Sequence, residues 1–435
     1  MKQYCVISCP IDTYSGYGSR ARDLVKAIYE LKGKEWHIEI LSQRWGQTPW
    51  GYIKDHKEKW GFLDSLINKS GQLQKQPDVW MQLTVPNEFQ PVGKYNIGFT
   101  AGIETTICDA SWIEGVNRMN KTLVSSNHAK QVFEQSKFQQ QDQSGKAIGT
   151  VFLQKPVEVL FEGVDLTQYF EIGDEDLEET NLVLELDEIQ EEFCYLFVGH
   201  WMQGNFGEDR KNVGETIKTF LETFKDKKDK PALILKTSGG AASIMDRDSI
   251  LQKIDDVKKL INSKDIPNIY LLHGELEESD INNLYNHPKV KAMVYLGHGE
   301  GYGRPLLEFT LSKKPIIATA WSGHTDFLFM EYTAMVGGQL KQIHPSSVVK
   351  NMILPESQWF YADLKQAEFY MKDVFSKYEK YVEKAKRQAH KSKTEFSLDK
   401  MRDALSPYLE EAPKVEALKL PQLKKIELPT LQPVK

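Results

Sequence analysis

The chain has 435 residues, of which 40% are hydrophobic and 27% are charged, and its formal net charge is −6. This length exceeds one ordinary domain and favours two or three domains, each with enough apolar material for a core. The negative net charge excludes a global basic field of the kind that attracts nucleic acids or anionic membranes, although local basic patches stay possible.

The N-terminal residues 1–8 lack the long apolar run of a secretory signal and are better interpreted as a first strand. No run of about 18 apolar residues occurs in the sequence, so no membrane-spanning helix is expected. The cysteines show no metal-ligand spacing, and we expect them to be reduced thiols of a cytosolic protein. They are Cys5, Cys9, Cys108 and Cys194.

Short apolar runs alternate with segments of helical period through the first half of the chain. The predicted strands are residues 4–8, 37–41, 79–83, 95–100 and 121–125, with one more strand within 152–164. A helix is predicted at 20–31, between the first two strands. This alternation predicts a parallel sheet covered by helices.

A segment dense in carboxylates, residues 171–192, separates this half from the next. We predict a solvated hinge or surface hairpin there. A metal site at Asp174 and Asp176 is the rival interpretation, but nothing nearby in the sequence supports it.

A second series of strands and helices follows. Strands are predicted at 194–198, 232–236, 269–272, 292–296 and 315–318, with helices at 213–224 and 249–261. The sequence therefore predicts two α/β domains, residues 1–190 and 191–375. We expect 376–411 to form helices that pack back on the first domain, and the tail 412–435 to be extended or disordered.

The most informative stretch is GHGEGYGRPLLE at residues 297–308, which follows a predicted strand and opens a helix. Its alternating glycines let the backbone turn sharply and approach a ligand closely. Pro305 suits the first helical turn, where its missing N–H costs little. Free N–H groups at the helix start, together with the Arg304 guanidinium, favour an anion such as a diphosphate.

Glu300 and Glu308 are the two acids of this glycine block, with seven residues between them. Glu300 is placed in the loop and Glu308 in the helix, so their carboxylates can accept hydrogen bonds from two sets of hydroxyls on one ligand. A nucleotide sugar carries such hydroxyls on its ribose and on its sugar, on either side of a diphosphate. This E-x7-E arrangement resembles that of the GT-B glycosyltransferases of family 4, a large family of retaining enzymes.

The resemblance implies the GT-B fold, in which two Rossmann-like domains face each other across a cleft. Residues 1–190 would form the acceptor domain and 191–375 the nucleotide-sugar donor domain. It implies transfer of a hexose or pentose from a nucleotide sugar to a hydroxyl acceptor with retention of configuration, and UDP is the expected nucleotide. The nucleotide sugar is a substrate, so no cofactor is expected. No metal is expected either, because cationic side chains and backbone N–H groups can take that role.

Other segments resemble the family more weakly. They are GYG at 16–18, FVGH at 197–200, RKNV at 210–213, LHGEL at 272–276, KKPIIAT at 313–319 and SGHTD at 322–326. The family usually has V-G-R where this chain has FVGH, so His200 replaces an arginine and one expected phosphate contact is weakened. Lys211 is therefore the preferred phosphate ligand.

The candidate site follows from the local chemistry and the resemblance together. Glu300 and Glu104 are the candidate catalytic residues, Glu104 because it follows a predicted strand and would point into the cleft from the first domain. The candidate donor-binding residues are Gly16, Gly18, Lys211, His273, Gly299, Gly301, Tyr302, Gly303, Arg304 and Glu308.

The segment 44–60 interleaves aromatic and basic side chains after the second predicted strand. Aromatic faces stack on sugars or bases, and cations suit phosphates. The candidate acceptor-binding residues are Trp45, Trp50, Lys57 and Trp60. The alternative is a loop whose aromatic side chains simply pack on the domain.

Two acceptors are considered. One is a glycan or other small hydroxyl compound. The other is a 5-hydroxymethyl pyrimidine in DNA, which some phage glycosyltransferases modify and which would have to be flipped out of the duplex. The chain loosely resembles such phage-encoded enzymes, so we expect a cytoplasmic protein, in the host cytoplasm if a phage encodes it.

A catalytically silent protein that only binds a nucleotide or a glycan is the alternative of another class. His200 favours this alternative, whereas Glu300 and Glu308 oppose it. A dinucleotide-dependent oxidoreductase is disfavoured, because the first strand is not followed by G-x-G-x-x-G.

Overall fold

The computed structural model describes residues 2–141, 146–240 and 243–413. Within these ranges the chain forms two α/β domains, and each contains a six-stranded sheet in which all neighbouring strands are parallel. The predicted fold class is confirmed. Burial on both faces explains the unbroken apolar runs in the sequence, because helices cover both sides of a parallel sheet.

The first domain contains β1 (Gln3–Cys9), β2 (Trp36–Ser42), β3 (Val79–Leu83), β4 (Tyr95–Thr100), β5 (Lys121–Val124), β6 (Phe138–Gln141), β7 (Ala147–Val151) and β8 (Val157–Val159). Its sheet has the order β2-β1-β3-β4-β5-β8, and β6 and β7 form a separate antiparallel hairpin. Every residue of β1 and β3 is buried. These two strands therefore form the centre of the domain core.

The helices of the first domain are α1 (Gly16–Lys32), α2 (Tyr52–Asp55), α3 (Lys57–Trp60), α4 (Ala110–Arg118) and α5 (Asn127–Gln135). Three of them begin at a side-chain cap. Ser15 Oγ accepts a hydrogen bond from the Gly18 N–H, and Asp109 and Ser126 cap α4 and α5 in the same way. These caps fix the loops at the carboxyl ends of β1, β4 and β5.

The second domain contains β9 (Cys194–Val198), β10 (Ala232–Lys236), β11 (Ile269–Leu272), β12 (Val290–Tyr295), β13 (Ile316–Thr319), β14 (Ala334–Val336), β15 (Gly338–Gln342) and β16 (Gln358–Ala362). The sheet order is β11-β10-β9-β12-β13-β14, and β15 pairs with β16 in an antiparallel hairpin. This hairpin reaches the first domain, where the Thr106 N–H donates to the Gln358 carbonyl at 3.0 Å.

The remaining helices are α6 (Asn181–Asp187), α7 (Val213–Phe224), α8 (Ile244–Lys259), α9 (Glu278–Asn286), α10 (Arg304–Thr310), α11 (Leu364–Ser376), α12 (Tyr378–Glu395) and α13 (Leu398–Glu410). Within 376–411, α12 packs against α10 of the second domain, whereas α13 packs against α1 of the first. The C-terminal part of the chain thus packs back on the first domain through α13. Residues 414–435 of the predicted tail lie outside the described ranges.

The carboxylate-rich segment differs from its prediction. It contains α6, whose Leu182, Val183 and Leu186 are buried, so part of it belongs to the core rather than to a solvated hinge or hairpin. All four cysteines are free and buried. Among the side chains that the structure describes, no group of three or more His, Cys, Asp or Glu could hold a metal ion. No helix within the described ranges combines the length and apolar character needed to cross a bilayer.

Candidate functional site

The glycine block lies between β12 and α10, where it packs directly against the loop that follows β4 in the first domain. A Cβ atom at Gly299 would come within 2.8 Å of the Glu104 Cβ, and one at Gly301 within 2.9 Å of the Ala101 carbonyl oxygen. Gly303, with φ of +99°, caps α10 in the left-handed region. Glycine at these positions lets the two domains approach each other with backbone nearly in contact.

Glu300 is the centre of a chain of charges that crosses between the domains and is buried except for the half-buried Arg210. Its Oε1 contacts Lys211 Nζ, and its Oε2 lies 3.8 Å from Arg210 Nη1. Arg210 Nε in turn lies 3.3 Å from Oε1 of Glu104. Glu104 and Glu300 are only 5% and 7% exposed. The structure therefore brings both candidate catalytic acids and the candidate phosphate lysine together.

The electrostatics of this chain favour the charged forms of Glu300 and Arg210, whereas burial lowers the pKa of Lys211. Burial by itself raises the pKa of Glu300, but the charges of Lys211 and Arg210 outweigh burial and lower it. Burial also lowers the pKa of Arg210, and the charges of Glu104 and Glu300 more than reverse that effect. Glu300 is thus an ionised hydrogen-bond acceptor at neutral pH.

Arg304 and Glu308 form a second charged group at the start of α10. Arg304 Nε lies 3.3 Å from Glu308 Oε1, while Arg304 Nη1 lies 2.6 Å from Oδ2 of Asp23 in α1 and 4.0 Å from Oε2 of Glu162. Burial raises the pKa of the Glu308 carboxyl, and the Arg304 charge only partly offsets this. In this conformation the Arg304 guanidinium is engaged by carboxylates of both domains.

The other candidate donor residues lie around these two groups. His273 follows β11, and its Nε2 lies 2.7 Å from Oδ2 of Asp246. Gly18 packs so closely on the Thr13 carbonyl that a Cβ would overlap it, and Gly16 is exposed at the start of α1. The hydroxyl of Tyr302 is buried without a hydrogen-bond partner in the described part of the chain.

Arg210 is a site residue that the sequence analysis did not single out. His200, at the usual arginine position, donates to or accepts from Ser238 Oγ at 3.0 Å, and burial together with the charges of Lys211, Lys236 and Arg210 lowers its pKa. His200 is therefore uncharged at neutral pH, whereas the Arg210 guanidinium lies near the carboxylates of Glu104 and Glu300. The sequence feature that could have identified Arg210 as a site residue is its position directly before Lys211 in the RKNV segment.

The four candidate acceptor residues fall into different environments. Trp45 is half-buried, and its ring stacks on Tyr17 with centroids 3.9 Å apart. Trp50 is 40% exposed, with the Arg44 guanidinium 5.4 Å from its ring centroid, and Lys57 is exposed. Trp60 is only 3% exposed. This corrects the prediction for Trp60, because a side chain within the core of the first domain has no free face for an acceptor.

The same segment also contacts the second domain. Tyr52 Oη donates to Glu278 Oε1 at 2.7 Å, and Lys59 Nζ contacts Glu278 Oε2 at 2.7 Å. His56 Nε2 lies 2.9 Å from Oε2 of Glu277. These contacts join α2 and α3 to the start of α9, so part of the aromatic and basic character of the segment serves to hold the domains together.

No protein-family model matches the chain, and no curated protein matches its sequence. Solved structures match over nearly its whole length. A glycosyltransferase from Rickettsia africae has a TM-score of 0.61 and 15% identity, covering 94% of this chain and 98% of its own. Anabaena HepE in complex with UDP and glucose has a TM-score of 0.61 and 11% identity, covering 94% and 100%. A UDP-forming α,α-trehalose-phosphate synthase from Burkholderia xenovorans has a TM-score of 0.60 and 11% identity, covering 95% and 100%.

The chain has the GT-B fold. At these identities the similarity extends to the fold alone. In the GT-B arrangement ligands bind at the carboxyl ends of the two facing sheets, as in other open α/β sheets. The Glu104–Arg210–Glu300–Lys211 chain lies at that position, where loops following β4 and β12 meet the residues that precede α7.

Proposed function

We propose that the protein is a glycosyltransferase that moves a sugar from a UDP-sugar to a hydroxyl acceptor with retention of anomeric configuration. The observation that carries the proposal is the largely buried chain of charges formed by Glu104, Arg210, Glu300 and Lys211 at the meeting point of the two domains. HepE, which shares the fold, has been solved with UDP and with UDP-glucose.

The diphosphate of the donor would bind Lys211 and Arg210. Both cations lie beside the Glu300 carboxylate of the glycine block. A carboxylate presents the same kind of anionic oxygen as a phosphate, so a phosphate could take its place. As the bond to the sugar breaks, negative charge develops on the departing diphosphate. Preorganised cations in a buried site stabilise that charge, which is the usual source of a large part of the rate. These cations support the proposal that no metal ion is needed.

Glu300 and Glu308 would bind the two hydroxyl-bearing parts of the donor. Glu300 is ionised and accepts hydrogen bonds from hydroxyls of the transferred sugar, next to the Glu104 side chain of the first domain. Glu308 lies further into α10 and accepts from the ribose. Two carboxyl acceptors so placed hold the sugar with its reacting carbon between the domains, and such positioning lowers the activation barrier because the reactants are already oriented.

Retention would proceed on one face of the sugar. Glu104 and Glu300 are bridged by Arg210, and each carboxylate is engaged by the guanidinium rather than free to attack carbon. The acceptor oxygen then enters on the face from which the diphosphate leaves, and the departing phosphate oxygen takes its proton. The domains must separate to admit the donor and close again around it.

A small hydroxyl acceptor is favoured over a pyrimidine in DNA. The basic residues of the segment 44–60 include Lys59, which is paired with Glu278 and Asp165, so fewer cations are free for a phosphate backbone. The silent-binder alternative rested on His200, and the Arg210 guanidinium compensates for that substitution.

Calorimetric titration of the full chain with UDP, GDP and ADP tests the donor assignment. We expect UDP to bind, and Glu308→Gln to weaken it about tenfold to a hundredfold, as loss of a charged hydrogen bond does. Lys211→Ala should weaken it similarly, whereas Lys365→Ala, which removes a lysine that is 85% exposed on α11, should not.

Transfer from radiolabelled UDP-glucose, followed by NMR of the anomeric proton of the product, tests the reaction. A retained α-configuration is expected. Binding of UDP without transfer or hydrolysis would support the silent binder, and inversion would contradict the proposed mechanism.

A further inference from the structure

Trp45 and Tyr17 form an aromatic pair at the edge of the cleft. Their ring centroids are 3.9 Å apart and the ring planes are inclined by 16°. Trp45 is half-buried, Tyr17 covers one face of its indole, and no other ring or cation contacts it in the described part of the chain. Trp45 therefore keeps solvent-exposed surface beside its stack with Tyr17.

The pair is fixed in place from both sides. Tyr17 lies in the first turn of α1, and its hydroxyl accepts a hydrogen bond from the Ala101 N–H at 3.1 Å. Trp45 lies on the loop after β2, which is tied to the β1–α1 loop by the Tyr14 N–H donating to the Pro49 carbonyl at 3.0 Å. A ring held in this way loses little conformational entropy on binding a ligand.

The Tyr17 hydroxyl leads directly to the candidate catalytic loop. Ala101 begins the loop that carries Glu104, and this loop packs on the glycine block. Trp45 is thus connected through Tyr17 to the loop that carries Glu104.

The charges beside the pair favour a neutral polyhydroxyl ligand. The Glu104 and Glu162 carboxylates both lie close enough to Tyr17 to influence its hydroxyl. Carboxylates accept hydrogen bonds from the hydroxyls of such a ligand. Aromatic faces pack well on the C–H surface of a sugar ring, which is an apolar body with a polar rim.

We propose that the acceptor is a saccharide whose ring packs on the exposed surface of the Trp45 indole, with the reacting hydroxyl directed towards Glu104. This inference rests on the proposed glycosyl transfer and specifies its acceptor. Tyr17 acts as a positioning residue, because it contacts both the Trp45 ring and the Ala101–Glu104 loop and so fixes their relative positions.

The test uses the full chain with radiolabelled UDP-glucose and a panel of glucose, galactose, mannose, N-acetylglucosamine and maltose. A duplex containing 5-hydroxymethylcytosine is assayed in parallel. We expect label to enter at least one saccharide. Trp45→Ala should raise the KM for that saccharide about tenfold, as loss of one stacking platform does, while the KM for UDP-glucose changes less than about twofold.

Two further variants make the result specific. Trp45→Phe retains an aromatic face and should recover most of the acceptor affinity. Phe369→Ala removes an aromatic side chain that is 58% exposed on α11 and should leave both KM values unchanged. The thermal midpoint of each variant establishes that it folds.

The outcomes separate this inference from the proposed function. Label in the duplex and in no saccharide would overturn the saccharide acceptor while leaving transfer intact. An unchanged saccharide KM in a folded Trp45→Ala variant would overturn the role of Trp45. Failure of the wild type to bind UDP would instead overturn the donor assignment on which the inference rests.

Discussion

Arg304 at the start of α10 and Asp23 in α1 form an ion pair that joins the two domains, with 2.6 Å between Nη1 and Oδ2. The side chains are 18% and 8% exposed, so solvent screens the pair only weakly. Arg304 therefore links the glycine block to the first domain in the same region where the sequence predicts donor binding. We therefore expect closure of the cleft and donor binding to be coupled through this residue.

We expect Asp23→Asn to lower the free energy of unfolding by about 1–3 kcal/mol, because it leaves a buried guanidinium with fewer anionic partners. Urea unfolding measures the change. Glu30→Gln removes one partner of Arg402 in a surface group, where the side chains are 31% and 40% exposed, and should cost less than about 1 kcal/mol. Equal losses in the two variants would contradict a buried link between the domains.

Arg210 is predicted to contribute more to catalysis than His200. Arg210→Ala removes a cation from the leaving-group side and leaves Glu104 and Glu300 without their bridge, so kcat/KM should fall about 100-fold to 1000-fold. Arg210→Lys should recover part of this loss. His200→Ala should lower kcat/KM less than about tenfold, since the ring is uncharged at neutral pH. If His200→Ala lowered kcat/KM more than Arg210→Ala does, His200 rather than Arg210 would be the larger contributor to catalysis.

The buried Asp209 carboxyl should make the stability of the protein depend on pH. Burial raises the pKa of its carboxyl from 3.8 to about 6, although the Val213 N–H donates to it. Because the folded-state pKa is raised, the stability contributed by the protonated form is fully present below about pH 4 and is lost as the pH rises through about 6.

Asp209→Asn removes this titration. The free energy of unfolding of the variant, relative to that of the wild type, should therefore increase between pH 4 and pH 7. The full pKa shift of Asp209 corresponds to an increase of about 3 kcal/mol. Urea unfolding of both proteins across this range measures the difference. Parallel stability curves would show that the Asp209 carboxyl does not titrate in this window.

Trp60 is predicted to be a core residue. Trp60→Ala should lower the free energy of unfolding by about 3–5 kcal/mol, as truncation of a large buried side chain does. Lys57→Ala, on the exposed side of the same short helix, should change it by less than about 0.5 kcal/mol. A Trp60→Ala variant that is as stable as the wild type but has a raised KM for the acceptor would show instead that Trp60 binds the acceptor.

The sequence by itself determined the fold class and the position of the glycine block. Unbroken apolar runs alternating with helical segments encode two parallel sheets, because such runs must be covered on both faces. The glycines of 297–308 and the spacing of Glu300 and Glu308 are local features that do not depend on which segment lies opposite. For that reason the pattern predicted a loop between a strand and a helix, and β12 and α10 enclose it.

Only the tertiary structure decided what these residues contact. Arg210 reaches Glu104 across more than 100 positions of the chain, and Arg304 reaches Asp23 across more than 250, so no local pattern could pair them. The same holds for the aromatic segment, where Trp45 and Trp60 have the same chemistry. One stacks at the cleft and the other is buried, because burial depends on which distant elements cover each ring.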